Sequence, residues 1–328
     1  MLKLCTTEEV KNKILNGARL LLAGNEAALS KLPEGQWIGG TTSYCMTDEG
    51  GMNIKDRIAV TELPDYVKSI TIKKYDETSI SGVYKDIPGQ GFGFLIIPAL
   101  TSVHFSFALN APSYENFAVR PLIGWIAGIE AHNAEIASPK VYQGNNCEVI
   151  ENGAVAMLID LPEDKYAEIN IVNIFKQGAG DLISFKESGF QITDALINGE
   201  KENFAQYLEK NKIDTRLPLV ADYNGAMINI SIRKTDKTSN RVEFYAPVFE
   251  GMEYRLASPI INYVAEFNKQ MPHGESDKIL FSCNCILNYL YSGLEGKQTD
   301  RITGPITFGE IAYQLLNQTM AYITIKDL

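Results

Sequence analysis

The stretch from Lys278 to Ile325 constrains the fold most, because short apolar runs alternate there with turn and capping residues. Ile279–Ser282 reads as a buried strand, Cys283-Asn284-Cys285 as a turn, and Ile286 onward as a short helix. After a glycine-rich connection, Thr307-Phe308-Gly309-Glu310 has the Thr-x-x-Glu spacing of a capping box and predicts a second helix. A last strand is expected over Thr319–Ile325. Strand, helix, helix and strand in such quick succession call for sheets covered by helices, not a helical bundle.

The rest of the chain fits that class. Thr6 and Glu9 frame another capping box, opening a helix with Val10, Ile14 and Leu15 on its apolar face and Gly17 as its stop. Arg19–Ala23 reads as a strand and Asn25–Leu32 as a helix. Further strands are expected at Ile58–Leu63, Ser69–Lys74 and Phe92–Ile97, and a helix from Ser102 to Leu109. The second half is richer in strands, among them Ala154–Asp160, Ile169–Phe175, Met227–Arg233 and Arg241–Tyr245. A polar stretch ending in Ser138-Pro139 puts a seam near 132–140.

Charge and cysteine usage narrow the function. A net charge of -10 repels nucleic acid and anionic membrane, so neither is expected as a partner. No apolar run approaches the ~18 residues of a membrane span, and no apolar signal core follows Met1, so the chain is expected in the cytosol. Five scattered cysteines make an odd number and argue against a disulfide framework. With no Cys-x-x-Cys and only His104, His132 and His273, no metal or other cofactor is expected.

Four places could carry chemistry. Gly40, Thr41, Thr42 and Ser43 leave a strand with little side-chain bulk, so their backbone could approach a ligand or simply make a sharp exit. Cys283 precedes a helix whose first N–H groups would favour a thiolate; packing is the other use of a free cysteine. Glu310, after Gly309, could cap a helix or face a pocket. Arg233 ends an alternating strand, where it either reaches solvent or meets a carboxylate such as Glu310.

The runs FSCNC (Phe281–Cys285), GPITFGEI (Gly304–Ile311) and LLNQT (Leu315–Thr319) are similar to the C-terminal part of the FIST family of sensory domains. IGGTTSY (Ile38–Tyr44) and PLIGWIAG (Pro121–Gly128) resemble motifs of that family's N-terminal half. The resemblance implies an α/β or α+β chain of two similar halves, 1–135 and 136–328. Each half would have mixed or antiparallel sheets layered with helices, and the two would pack as one body. It also implies a non-enzymatic sensor of a small polar ligand, amino acids included, that acts in signal transduction. Gly40, Thr41, Thr42 and Ser43 would line one side of the pocket, with Arg233, Cys283, Asn284, Gly309 and Glu310 contributing the rest. The family's arginine soon after the FSC cysteine is missing here, where Asn284, Cys285 and Ile286 stand. Three alternatives remain: a cysteine enzyme using Cys283, a haem protein with an axial nitrogen from His104, His132 or His273, and a ligand-free scaffold.

Overall fold

The computed structural model describes residues 2–130, 137–223, 226–236, 238–270, 278–299 and 302–328. Strand makes up 44% of these residues and helix 18%, in mixed and antiparallel sheets, so the chain is α+β with few helices. Among the described residues no helix is long and apolar enough to cross a membrane. The boundary expected at 135/136 lies outside the described residues, as do His132 and His273.

The chain forms two compact units. The first comprises Met1–Val172, Met271–Leu315 and Met320–Leu328, and the second Asn173–Gln270 with Leu316–Thr319. In the second unit, a six-stranded sheet runs from Glu200–Asn203 at one edge to Ala226–Ile230 at the other. A three-stranded sheet is centred on Arg241–Val248, and the helix Phe204–Lys210 is capped by the Asn203 side chain. The rings of Phe185, Phe204, Phe244 and Tyr254 pack edge to face or tilted around Phe185, with centroids 5.5–6.1 Å apart.

The first unit opens with β1 (Lys3–Cys5) and α1 (Thr7–Leu15), and the capping box forms as expected. The Thr6 N–H donates to the Glu9 carboxylate at 2.7 Å, and the Glu9 N–H to Thr6 Oγ1 at 3.3 Å. Then come β2 (Leu20–Gly24), α2 (Glu26–Leu29), β3 (Trp37–Thr41), β4 (Tyr44–Thr47), β5 (Gly50–Asn53), β6 (Ile58–Glu62) and β7 (Ser69–Tyr75). A short α3 (Val83–Asp86) leads to β8 (Gly91–Pro98), α4 (Ser102–Asn110) and β9 (Leu122–Ala127). The run to Val172 ends with β10 (Val141–Gln143), β11 (Glu148–Ile150), β12 (Ala154–Asp160) and β13 (Lys165–Val172).

These strands build three six-stranded sheets. The first has the order β1-β6-β2-β3-β10-β11. The second runs Gln314–Leu316, Glu310–Ala312, β9, β8, β12, β7, and the third β13, Met320–Asp327, Ile279–Cys285, Gly304–Thr307, β4, β5. The second sheet is the centre of this unit. β8, β9 and β12 are buried almost throughout, which explains why FGFLIIP, LIGWIA and AVAMLI read as unbroken apolar runs. The first and third sheets share one of its faces: a Cβ on Gly40 of β3 would meet Ile96 and Trp125, and Phe281 of the third sheet stacks on the same Trp125 at 5.5 Å.

The helix predicted from Thr307 is absent. Gly304–Thr307 and Glu310–Ala312 are strands, because the backbone of Glu310 pairs with Trp125 in β9 and that of Ile311 with Gly124. Tyr313, at φ 62°, turns the chain before Gln314–Leu316. Buried backbone pairing of Glu310–Ala312 with β9, and of Gly304–Thr307 with β4 and Ile279–Cys285, outcompeted a local cap worth only about 1 kcal/mol.

His104 on α4 is 5% exposed, and its Nδ1 accepts the Leu100 N–H at 3.2 Å. Burial pushes its pKa down to about 4, against ~6.5 in an unfolded chain. The folded state therefore binds fewer protons than the unfolded one between those values. The stabilisation is complete above pH ~6.5 and lost as pH falls towards 4, a change of about 3 kcal/mol. Urea unfolding at pH 7 and pH 4.5 is expected to show this slope in the native protein and a clearly shallower one in His104→Asn.

Candidate functional site

Most of the residues expected to line a pocket are brought together, but inside the first unit. Gly40, Thr41, Thr42, Cys283, Asn284, Gly309 and Glu310 are buried, and Ser43 is half-buried. The backbone donors that Thr41 and Thr42 could have offered an anion are already used. The Thr41 N–H donates to Lys140 O and the Thr42 N–H to Gly24 O, both at 2.9 Å, while Thr42 Oγ1 donates to Ile306 O at 2.5 Å. The segment is a crossover from the first sheet to the third, and Gly40 is bare because Ile96 would sit 2.6 Å from its Cβ.

Cys283 lies on the strand Ile279–Cys285 and donates through Sγ to Gly124 O at 3.4 Å. Burial, then the neighbouring Glu310 and Cys285, push its thiol well above the usual range. Of the two uses open to Cys283, its surroundings fit packing: the helix that could favour a thiolate, Ile286–Ser292, begins three residues later, and desolvation wins. Glu310 is 0% exposed, with Oε1 3.4 Å from Thr307 Oγ1, and Asn284 Oδ1 accepts from Asn288 Nδ2 at 2.9 Å. Gly309 accepts the Ile126 N–H at 2.9 Å, which ties the turn to β9.

Arg233 belongs to the second unit, on the strand Ile232–Asp236, and its side chain is 43% exposed. Its carboxylate partner is Glu243 at 3.4 Å, not Glu310, because Ile232–Asp236 and Arg241–Val248 are neighbouring antiparallel strands. The Asn317-Gln318 pair is equally far from a loose helix end. Asn317 Oδ1 accepts both the N–H and the hydroxyl of buried Ser231, at 2.9 and 2.5 Å, and Asn229 donates to the carbonyls of Asn317 and Gln318. Among the described residues no group of three His, Cys, Asp or Glu side chains could hold a metal ion.

One cleft was not legible beforehand. A cleft of about 660 Å3 in the first unit runs alongside β1 and the β4–β5 hairpin. Leu2, Leu4, Cys5 and Met52 give it an apolar part of its lining. Lys3 and Arg57 bring positive charge, and Asp48 and Glu49 at the hairpin tip bring negative charge. Glu9 also lines the cleft but is committed to the cap. Among the described residues neither Lys3 nor Arg57 forms an ion pair. The hairpin tip is fixed locally: Thr47 Oγ1 donates to Gly50 O at 2.9 Å and accepts the Glu49 N–H at 3.2 Å, with Gly50 at φ 109°. Cys5 is no nucleophile: burial first, and then Glu9, raise its thiol pKa against the opposing pull of Lys13, Lys3 and Arg57.

A family model described as "Family of unknown function (DUF6976)" matches residues 5–326. The chain belongs to DUF6976. That match, over nearly the whole sequence, overturns the resemblance to FIST domains. The motifs behind that resemblance serve the DUF6976 fold instead: GEI (Gly309–Ile311) is the edge pairing of β9, and NQT (Asn317–Thr319) is part of a buried polar network. No curated protein matches this member of DUF6976.

Proposed function

We propose that this DUF6976 protein is a cytosolic, non-enzymatic binding protein for a small polar ligand that carries both signs of charge and occupies the cleft beside β1. The observation that carries the reading is the cleft itself: about 660 Å3, lined by apolar side chains and by cations, Lys3 and Arg57, that form no ion pair among the described residues, with Asp48 and Glu49 opposite in charge. Ligand sites typically run from about 300 to 1,000 Å3, mainly apolar with a few polar groups that fix orientation. A zwitterion would place its anionic end towards Lys3 and Arg57 and its cationic end towards Asp48 and Glu49. All five cysteines are unpaired thiols, which suits a reducing compartment. Neither Cys5 nor Cys283 is activated, and this favours binding over cysteine catalysis.

Thermal unfolding in the presence of zwitterions, monoanions and monocations of similar size tests the reading. Only the zwitterions are expected to raise the melting temperature. Arg57→Gln is expected to weaken the best of them at least tenfold, about 1.4 kcal/mol, and added salt to weaken it further because the rim is exposed. Equal response to all three classes, or an Arg57→Gln variant that binds unchanged, would remove the cleft from consideration.

A further inference from the structure

The cleft is bordered by an open strand edge, and the register shows which backbone groups that edge offers. In the β2–β6 pair Arg19 stands opposite Leu63, and the Leu63 N–H donates to Arg19 O at 2.9 Å. Hydrogen-bonded pairs alternate in an antiparallel ladder, so the odd-numbered residues of β6 serve β2 and the even-numbered ones serve β1. Ile58 and Val60 therefore bond Cys5 and Lys3. Leu4, between them, has its N–H and C=O directed away from β6, and Leu4 lines the cleft. β1 is the terminal strand of its sheet, with no further strand paired to it among the described residues. The next donor of the same parity, the Thr6 N–H, is taken by Glu9. The other edge near the cleft is closed: the Gly51 N–H on β5 donates to Lys297 O, and Gly51 O accepts from Gly296.

We infer that the occupant of the cleft is a short extended peptide, whose main chain adds to β1 through one donor and one acceptor of Leu4. The inference rests on the cleft being the binding site and goes further by naming the ligand class. Edge pairing supplies affinity without regard to sequence, and side-chain pockets supply selectivity. Here the selective elements are the charges: a free carboxyl end suits Lys3 and Arg57, and a basic side chain or amino end suits Asp48 and Glu49.

Affinity selection from a mixture of free-ended tripeptides to pentapeptides, read by mass spectrometry, is expected to retain peptides with a basic residue. Calorimetry on the best of them then tests the geometry. Methylating its amides one at a time should cost tenfold or more at alternate positions only, because every second amide of a strand faces the partner. Leu4→Pro deletes the outward N–H and no ladder bond, a substitution an edge strand tolerates; it is expected to bind at least tenfold more weakly than Leu4→Ala, at a similar melting temperature. Should Leu4→Pro fail to fold, the methylation scan on the native protein decides. Retention of no peptide, a uniform or silent methylation scan, or full binding by folded Leu4→Pro overturns strand addition. If a small zwitterion still binds in an Arg57-dependent way, the cleft survives without the peptide; if Arg57→Gln is silent as well, both readings fall.

Discussion

Gly124→Ala is expected to leave no stable native protein. Gly124 sits in β9 at the middle of the central sheet, opposite Leu95 of the parallel strand β8. A Cβ there would lie 1.8 Å from Leu95 O, 2.7 Å from its carbonyl carbon and 2.9 Å from its nitrogen. These are backbone atoms, so no rotamer change can relieve the clash; β8 and β9 would have to separate. The Gly124 carbonyl itself accepts the Cys283 thiol, and Ile311 pairs with Gly124 on the other side of β9, so the disturbance would reach the third sheet and the strand Glu310–Ala312. A loss of about 4 kcal/mol or more is expected, at the far end of what single substitutions do. Urea unfolding followed by circular dichroism gives the answer. Gly180→Ala, where a Cβ meets nothing within 4 Å, is the control and should stay within about 0.5 kcal/mol. A Gly124→Ala variant that melts near the native temperature would mean that the two strands are less tightly apposed than described.

The second large effect is expected in the other unit, at Asn317. Its Oδ1 is the partner of the Ser231 N–H, and both residues are buried. Asn317→Ala strands that N–H, whereas the Ser231 hydroxyl can turn to Gln318 Oε1 at 2.6 Å. An unsatisfied buried donor costs about 1–3 kcal/mol, and the vacated volume adds to it, so a loss near 3 kcal/mol is expected. Asn317→Asp keeps the acceptor and replaces Nδ2, which has no hydrogen-bond partner among the described residues, with oxygen. Its carboxylate would be buried and charged at pH 7, so its deficit relative to the native protein should shrink as pH falls and the group becomes neutral. Hydrogen exchange at Ser231 reads the same bond directly. Unaltered protection there in Asn317→Ala would show that the amide finds another acceptor.

The two Thr-x-x-Glu sequences show where local reading works and where it stops. At Thr6–Glu9 the pattern made the helix it promised, since both hydrogen bonds of the box are short-range and Val10 and Ile14 fall on its buried face, although Leu15, expected on that face, is exposed. At Thr307–Glu310 the same spacing produced no helix, because β9 offered the backbone of Glu310–Ala312 an edge to pair with. Nothing within a few residues of Glu310 records that edge. Likewise Gly40 and Thr42 read as a bare strand exit, whereas their close surroundings come from Ile96, Trp125 and Ile306, all far along the chain.

By itself the sequence determined what short-range physics controls: the capped N-terminal helices, the apolar runs of β8, β9 and β12, the acidic surface, and the absence of a disulfide pattern. The tertiary structure alone decided which of those strands became neighbours, and with that the state of every candidate side chain. Cys283 became a neutral buried thiol, Arg233 an exposed partner of Glu243, and Asn317 a core acceptor. It also assembled the cleft. Lys3, Asp48, Glu49 and Arg57 are ordinary surface charges in sequence, and they line one cleft only where the first sheet's open edge comes beside the β4–β5 hairpin. Such a site depends on pairing between distant segments, and no local pattern of residue types encodes that.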